Sequence, residues 1–146
     1  MISEDLKLTN QLCFSIYNAN RLFNKFYQKA LEPFKITYPQ YLVLLSLWER
    51  DQQQLQELGA EIGLSSNTLT PLLKRLEEKE LITRVRPQTD KRQLVVSLTN
   101  AGEAIQAPIV EAIANCISQD QFDINRYHQL LEDNKKLADE LQKQLE

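Results

Sequence analysis

Leu55-Gln56-Glu57-Leu58-Gly59-Ala60-Glu61-Ile62-Gly63-Leu64-Ser65-Ser66-Asn67-Thr68-Leu69 is the stretch around which the rest of the chain can be organised. Leu55, Leu58 and Ile62 step by three and four, which predicts a short amphipathic helix. Gly63 follows directly, where a residue free to take up left-handed backbone ends a helix. Leu64 fills the corner, and Ser65 or Ser66 stands where a hydroxyl caps the next helix. The core face of that second helix is Leu69, Leu72, Leu73 and Leu76. Two short helices around a glycine turn, the second opening with small polar side chains, make a helix–turn–helix pattern. A plain helical hairpin is the alternative. Pro71 lacks the N–H that would donate to Asn67, so a bend or a looser first turn is expected there.

Downstream, Leu81-Ile82-Thr83-Arg84-Val85-Arg86 alternates with period two, and Leu94-Val95-Val96-Ser97-Leu98 is a second β-like run. Between them lies Pro87-Gln88-Thr89-Asp90-Lys91-Arg92, turn chemistry with basic flanks and no glycine, which predicts a longer projecting loop instead of a two-residue turn. Two strands with a basic tip after such a helix pair make a winged helix. Upstream, Leu12, Ile16, Ala19, Phe23, Phe26 and Ala30 form one apolar stripe that Pro33 interrupts. Thr37 or Tyr38 caps a helix from Gln40 to Glu49 that is apolar nearly all round and therefore central. The polar run Arg50 to Gln54 ends it. Thr99 or Asn100 caps a helix from about Ala101 to Ile117, and a last helix from about Asp123 carries Tyr127, Leu130, Asn134, Leu137, Leu141 and Leu145 on one face. The expectation is a mainly α fold: a winged helix–turn–helix core over residues 36–100, flanked by N- and C-terminal dimerisation helices at 1–31 and 101–146, within one domain of 146 residues. The terminal faces have no partner inside the winged core, so a homodimer on a palindromic double-stranded DNA site is expected.

Composition excludes several classes. With 42% hydrophobic and 25% charged residues the chain is too apolar for disorder, and three glycines leave little room for Gly-rich loops. The longest apolar run, Tyr41 to Trp48, is far short of a membrane span. Ile2-Ser3-Glu4-Asp5 is acidic where a signal peptide is basic, so a cytoplasmic protein without membrane contact is expected. One histidine and two cysteines offer no metal spacing, and nothing calls for a cofactor. Net charge is −3, yet from Leu64 to Arg92 seven basic side chains face four acidic ones. A basic stretch inside an acidic protein is a candidate anion-binding surface.

The order of these elements resembles the MarR family of bacterial transcription regulators over the whole chain. Asn10-Gln11-Leu12-Cys13-Phe14-Ser15-Ile16-Tyr17, then Tyr27, Thr37-Tyr38-Pro39-Gln40-Tyr41, Thr68-Leu69-Thr70-Pro71-Leu72-Leu73-Lys74-Arg75-Leu76-Glu77 and the wing Asp90-Lys91-Arg92 resemble its thiol-based, organic hydroperoxide resistance regulator (OhrR-like) branch. The resemblance implies a homodimeric repressor, not an enzyme, in which Cys13 is oxidised by organic hydroperoxide and DNA is released. It implies that Tyr27 and Tyr38 hydrogen-bond the reactive sulfur of the partner subunit, and it makes Cys116 a candidate resolving thiol. Tyr17 stands one helical turn from Cys13 and is a third candidate for supporting the thiol.

Geometry bears on this arrangement. Cys13 and Tyr27 differ by fourteen residues, roughly 21 Å along an unbroken helix, so if they meet, Tyr27 belongs to another subunit. The thiolate is the nucleophile towards peroxide oxygen. No Lys, Arg or His lies within a turn of Cys13, so stabilisation of the anion falls to tyrosine hydroxyls or to the wider field of the fold. Ser66, Asn67, Thr68 and Thr70 open the second helix of the pair, where side chains reach base edges and phosphates, with Lys74 and Arg75 further along. Arg84, Arg86 and Lys91 are phosphate-contact candidates. Asp90 is expected to support the wing by pairing with Arg75, as Asp-x-Arg wings in the family suggest, leaving Arg92 for the minor groove. Four other readings stay open: a buried inert Cys13, a repressor released by a small phenolic ligand in the dimer cleft, a thiol peroxidase, and a structural dimer module whose winged fold binds protein.

Overall fold

The computed structural model describes residues 1–116 and 123–146. They fall into two compact units, Met1–Ile113 and Ala114–Glu146. In the first, two short 3-10 turns, Glu4–Leu6 and Leu8–Asn10, lead into α1 (Leu12–Leu31). The stripe along α1 is largely exposed: Ile16, Phe23 and Phe26 are open to solvent, Ala30 and Leu31 are buried, and Tyr27 packs partly against the core. A turn at Glu32–Phe34 carries Pro33 and ends with Lys35 in left-handed backbone, which turns the chain into α2 (Tyr38–Glu49). Thr37 caps α2. Its hydroxyl accepts from the Gln40 N–H while the Gln40 side chain accepts from the Thr37 N–H, a reciprocal pair that satisfies two orphan donors. Val43, Leu44 and Leu47 of α2 are fully buried, so the helix is central as its composition requires.

After α2 come β1 (Gln53–Gln54), α3 (Leu55–Ile62), α4 (Ser66–Glu78), β2 (Ile82–Val85) and β3 (Val95–Leu98). Gly63 ends α3 at φ +81°, with its N–H and that of Leu64 both on the Gly59 carbonyl. Ser65 caps α4 by accepting from the Thr68 N–H. The helix runs through Pro71 to Glu78, held on its inner face by Leu69, Leu73 and Leu76, all fully buried. At about 1.5–3 kcal/mol for each such side chain, core packing outweighs one missing helix hydrogen bond. The strands form an antiparallel sheet in the order β1-β3-β2, with Ile82 opposite Leu98 and Val85 opposite Val95. The polar run after α2, expected only to end the helix, contributes an edge strand: Gln53 and Gln54 pair with Val96 and Val95.

The expected helix from Ala101 is two helices, α5 (Asn100–Ala104) and α6 (Gln106–Cys116), with Ile105 between them. Pro108 has no N–H for the Ala104 carbonyl, so the first helix cannot continue across it. Its predicted end, Ile117, lies outside the described residues. Thr99 caps α5 through its hydroxyl. The second unit holds the end of α6 and α7 (Ile124–Leu145), capped by Asp123, whose carboxylate accepts from the Asn125 N–H. Tyr127, Leu130, Leu141 and Leu145 on α7 are exposed. Among the described residues, no helix is long and apolar enough to cross a membrane.

Candidate functional site

Cys13 is exposed in the first turn of α1. α1 begins at Leu12, so the backbone is helical from the residue before Cys13 onward. The approach is ordered as well: Asn10 donates its side-chain amide to the Glu4 carbonyl at 2.8 Å, and Gln11 donates to the Asp5 carbonyl at 2.7 Å. Tyr17, one turn along, is exposed and stacked on Phe14 at 6.4 Å between ring centres.

Tyr27 and Tyr38 come together, their rings 4.6 Å apart across the α1–α2 corner. Tyr41 joins them at 5.5 Å from Tyr27 and 6.3 Å from Tyr38, and it was not among the residues singled out from the sequence. Its signal was present as the apolar-face position one turn after Tyr38. Partial burial pushes the Tyr38 phenol above its ordinary pKa. Within one chain the cluster and Cys13 are held apart. α1 is unbroken from Leu12 to Leu31, which keeps Cys13 and Tyr27 about 21 Å from one another. Cys116 is half-buried in the last described turn of α6, in the other compact unit.

On the DNA-reading candidates, Ser66, Asn67, Thr68, Thr70, Lys74 and Arg75 are exposed along α4. Two hydroxyls have local partners. Thr70 donates to the Ser66 carbonyl at 2.7 Å, and Thr68 shares a hydrogen bond with Ser65 at 3.2 Å. Arg84 turns inward: its guanidinium pairs with Glu77 at 3.1 Å, and the same carboxylate accepts from the Arg84 backbone N–H at 3.0 Å. The Glu77 carboxyl is held below its ordinary pKa, chiefly by its hydrogen bond from Arg84. Arg84 thereby ties β2 to α4, a position removed from an open phosphate contact. The expected Asp90–Arg75 pair is replaced by a local one, in which Asp90 accepts from both the backbone N–H and the Nε of Arg92 at 3.1 Å. Two residues apart in a turn, these groups meet without the reach that Arg75 on α4 would need. Arg86 donates to the Lys91 carbonyl at 3.1 Å, bracing the other side of the tip. Arg86, Lys91 and Arg92 stay exposed on the wing.

A groove of about 530 Å³ runs between α2, α3 and α6, lined by Leu42, Leu45, Ser46, Trp48, Glu49, Glu61, Ile62 and Gln106. Ser46 donates to the Glu61 carboxylate at 2.7 Å. The two carboxylates that line it, Glu49 and Glu61, are exposed to solvent. Among the described residues, no cluster of His, Cys, Asp and Glu is placed to hold a metal ion.

Residues 25–109 match the family model described as "Transcriptional regulator SarA/Rot". The chain is 44% identical over 108 residues to the organic hydroperoxide resistance transcriptional regulator of Bacillus subtilis, covering 74% of each chain. It is similar in structure to AbfR of Staphylococcus epidermidis. Against reduced AbfR bound to DNA the TM-score is 0.84 at 47% identity, over 97% of this chain and 99% of that one. Against disulfide-formed AbfR it is 0.69 at 46% identity, over 97% and 94%. With its helix–turn–helix, its three-stranded wing and relatives of this likeness along most of its length, the chain belongs to the MarR/SarA-type family of winged-helix transcriptional regulators.

Proposed function

We propose that the protein is a homodimeric, DNA-binding repressor that senses organic hydroperoxide through Cys13 and releases a palindromic operator when that thiol is oxidised. The observation that carries this reading is the separation of parts: an exposed thiol at one end of an unbroken α1, and a tyrosine pair, Tyr27 with the half-buried Tyr38, at the other. A second copy packed head to tail along α1 would bring each thiol to the other subunit's Tyr27 and Tyr38. The exposed apolar side chains Ile16, Phe23 and Phe26 supply the surface for that packing. The Cys13 thiolate attacks the distal peroxide oxygen and the O–O bond breaks; the distal OH stays on sulfur as sulfenic acid, and the alkoxide takes a proton from solvent and leaves as the alcohol, so that sulfur is oxidised and peroxide reduced. The charge that the tyrosine hydroxyls served is then gone.

Changing DNA occupancy from 99% to 1% takes about 5.5 kcal/mol of differential stabilisation. At about 0.5–1.5 kcal/mol for each hydrogen bond, two thiol sites with two or three bonds each reach that range. On the DNA side, Asn67 and Ser66 on α4 are the candidates for base edges, and Lys74, Arg75, Arg86 and Lys91 for phosphates, with Arg92 at the tip reaching the minor groove. The relative AbfR is known both reduced and bound to DNA and with a disulfide formed, which supports a thiol-dependent DNA interaction in this chain, with Cys116 as the candidate resolving thiol.

Fluorescence anisotropy on duplexes selected by the reduced protein from its genome, titrated with cumene hydroperoxide, tests this reading. Wild type is expected to release DNA and to regain it with dithiothreitol, while Cys13→Ser stays bound. Cys116→Ser is expected to lose the oxidised dimer on non-reducing gels. A Cys13→Ser protein that responds to peroxide like wild type would falsify the sensor role.

A further inference from the structure

We propose that Trp48 is a positioning residue for the DNA switch: its indole N–H on the Gly102 carbonyl, with Tyr41 against its ring, couples the tyrosine cluster to the base of the wing. The inference rests on the thiol-switch reading of Cys13 and names the route by which that site reaches the DNA-reading elements. α2 is one rigid rod of twelve residues, about 18 Å long. Tyr38 and Tyr41 in its first turn meet Tyr27 of α1. Seven residues beyond Tyr41, on the same face two turns along, the Trp48 ring meets the Tyr41 ring edge-on at 6.3 Å and 90°. Trp48 donates its N–H to the Gly102 carbonyl at 2.8 Å.

Gly102 stands against the wing without slack. A methyl group on it would overlap the Leu81 carbonyl and crowd the Leu98 side chain at 3.1 Å. Leu81 immediately precedes β2, and Leu98 ends β3. The contacts therefore run without a gap from Tyr27 through Tyr41, Trp48 and Gly102 to the two strands that carry Arg86 to Arg92. The same end of α2 is anchored to α3 by the Ser46 hydroxyl on Glu61, and to β1 by the buried Gln53 amide on the Ser46 and Arg50 carbonyls. An indole has a single donor, so one substitution, to phenylalanine, removes the Trp48–Gly102 bond and keeps an aromatic ring. Contiguity by itself is not coupling, and a direct measurement is needed.

The test uses the full-length dimer and a duplex selected by the reduced protein from random-sequence DNA. Trp48→Phe keeps the ring contact with Tyr41 and removes the N–H. Cys13 is expected to oxidise at the wild-type rate by mass spectrometry, and reduced affinity is expected to stay within about threefold of wild type. The ratio of oxidised to reduced Kd is expected to fall at least tenfold, a change that a merely structural role would not produce alone. Trp48 is also the only tryptophan of the chain, so its emission in wild type reports on the joint directly. A shift in step with DNA release, absent in Cys13→Ser, is expected. A wild-type Kd ratio in Trp48→Phe, or no emission change on release, overturns the coupling while leaving the sensor reading intact. If wild type itself keeps its DNA under peroxide, the sensor reading fails, and the coupling with it.

Discussion

Glu77 joins the recognition helix to the wing through one carboxylate, which accepts from both the side chain and the backbone of Arg84. Its folded-state pKa lies below the ordinary 4.5, and the first cause is the Arg84 hydrogen bond. The unfolded chain therefore takes up the proton first as pH falls. The stabilisation is complete above about 4.5 and is lost as pH drops through the folded value. Glu77→Gln is expected to be less stable than wild type in urea at pH 7, with the difference closing below pH 4.5. A difference that stays constant to pH 3 would show that the charge of Glu77 contributes nothing. Because Glu77 is partly exposed, the effect is a small one, screened by solvent. The pair also explains why Arg84, although it lies in the most basic stretch of the chain, is built into the wing instead of facing outward.

Glycines at two helix boundaries work for different reasons, and the difference can be measured. Gly63 has φ +81° with no atom within 4 Å of an added methyl, so alanine there meets only backbone strain, about 1 kcal/mol, or roughly 2–4 °C in Tm. Gly102 has ordinary helical backbone but no room, since its Cβ position lies against the Leu81 carbonyl. Overpacking of this kind costs about 3 kcal/mol at the upper end of its usual range. Thermal unfolding is expected to rank Gly102→Ala well below Gly63→Ala, and equal losses would contradict the close approach of α5 to the wing. Local chemistry announces the first of these glycines, which ends an amphipathic repeat. Nothing local distinguishes the second from any small helix residue.

The exposed apolar faces of α1 and α7 are the strongest indication that one chain is not the working unit. Ile16, Phe23 and Phe26 on α1 are more than a third exposed, as are Tyr127, Leu130 and Leu141 on α7. Light scattering is expected to give twice the 17.0 kDa chain mass. Phe26→Asp is expected to yield monomers that fold but bind the selected duplex at least tenfold more weakly, because two half-sites are no longer held together. A dimeric Phe26→Asp protein with unchanged DNA affinity would remove α1 from the interface.

The sequence by itself determined the features that depend on near neighbours along the chain. These include the Gly63 turn, the Thr37 and Ser65 caps, the central apolar α2 and the alternating strands of the wing. Each is set by backbone preference or periodicity within a few residues, and each emerges close to its expected bounds. Pro108 was equally legible as the reason for the break after Ala104, although periodicity alone ran the two helices together. Tertiary structure decided what depends on reach and direction. It paired Gln53 and Gln54 with β3, turned Arg84 onto Glu77, gave Asp90 to Arg92 instead of Arg75, and added Tyr41 to the tyrosine pair. Side-chain partners of this kind are chosen by distance across the fold, and spacing along the chain constrains that distance only within a single unbroken element. The same rule, applied along α1, separates Cys13 from Tyr27 within one chain.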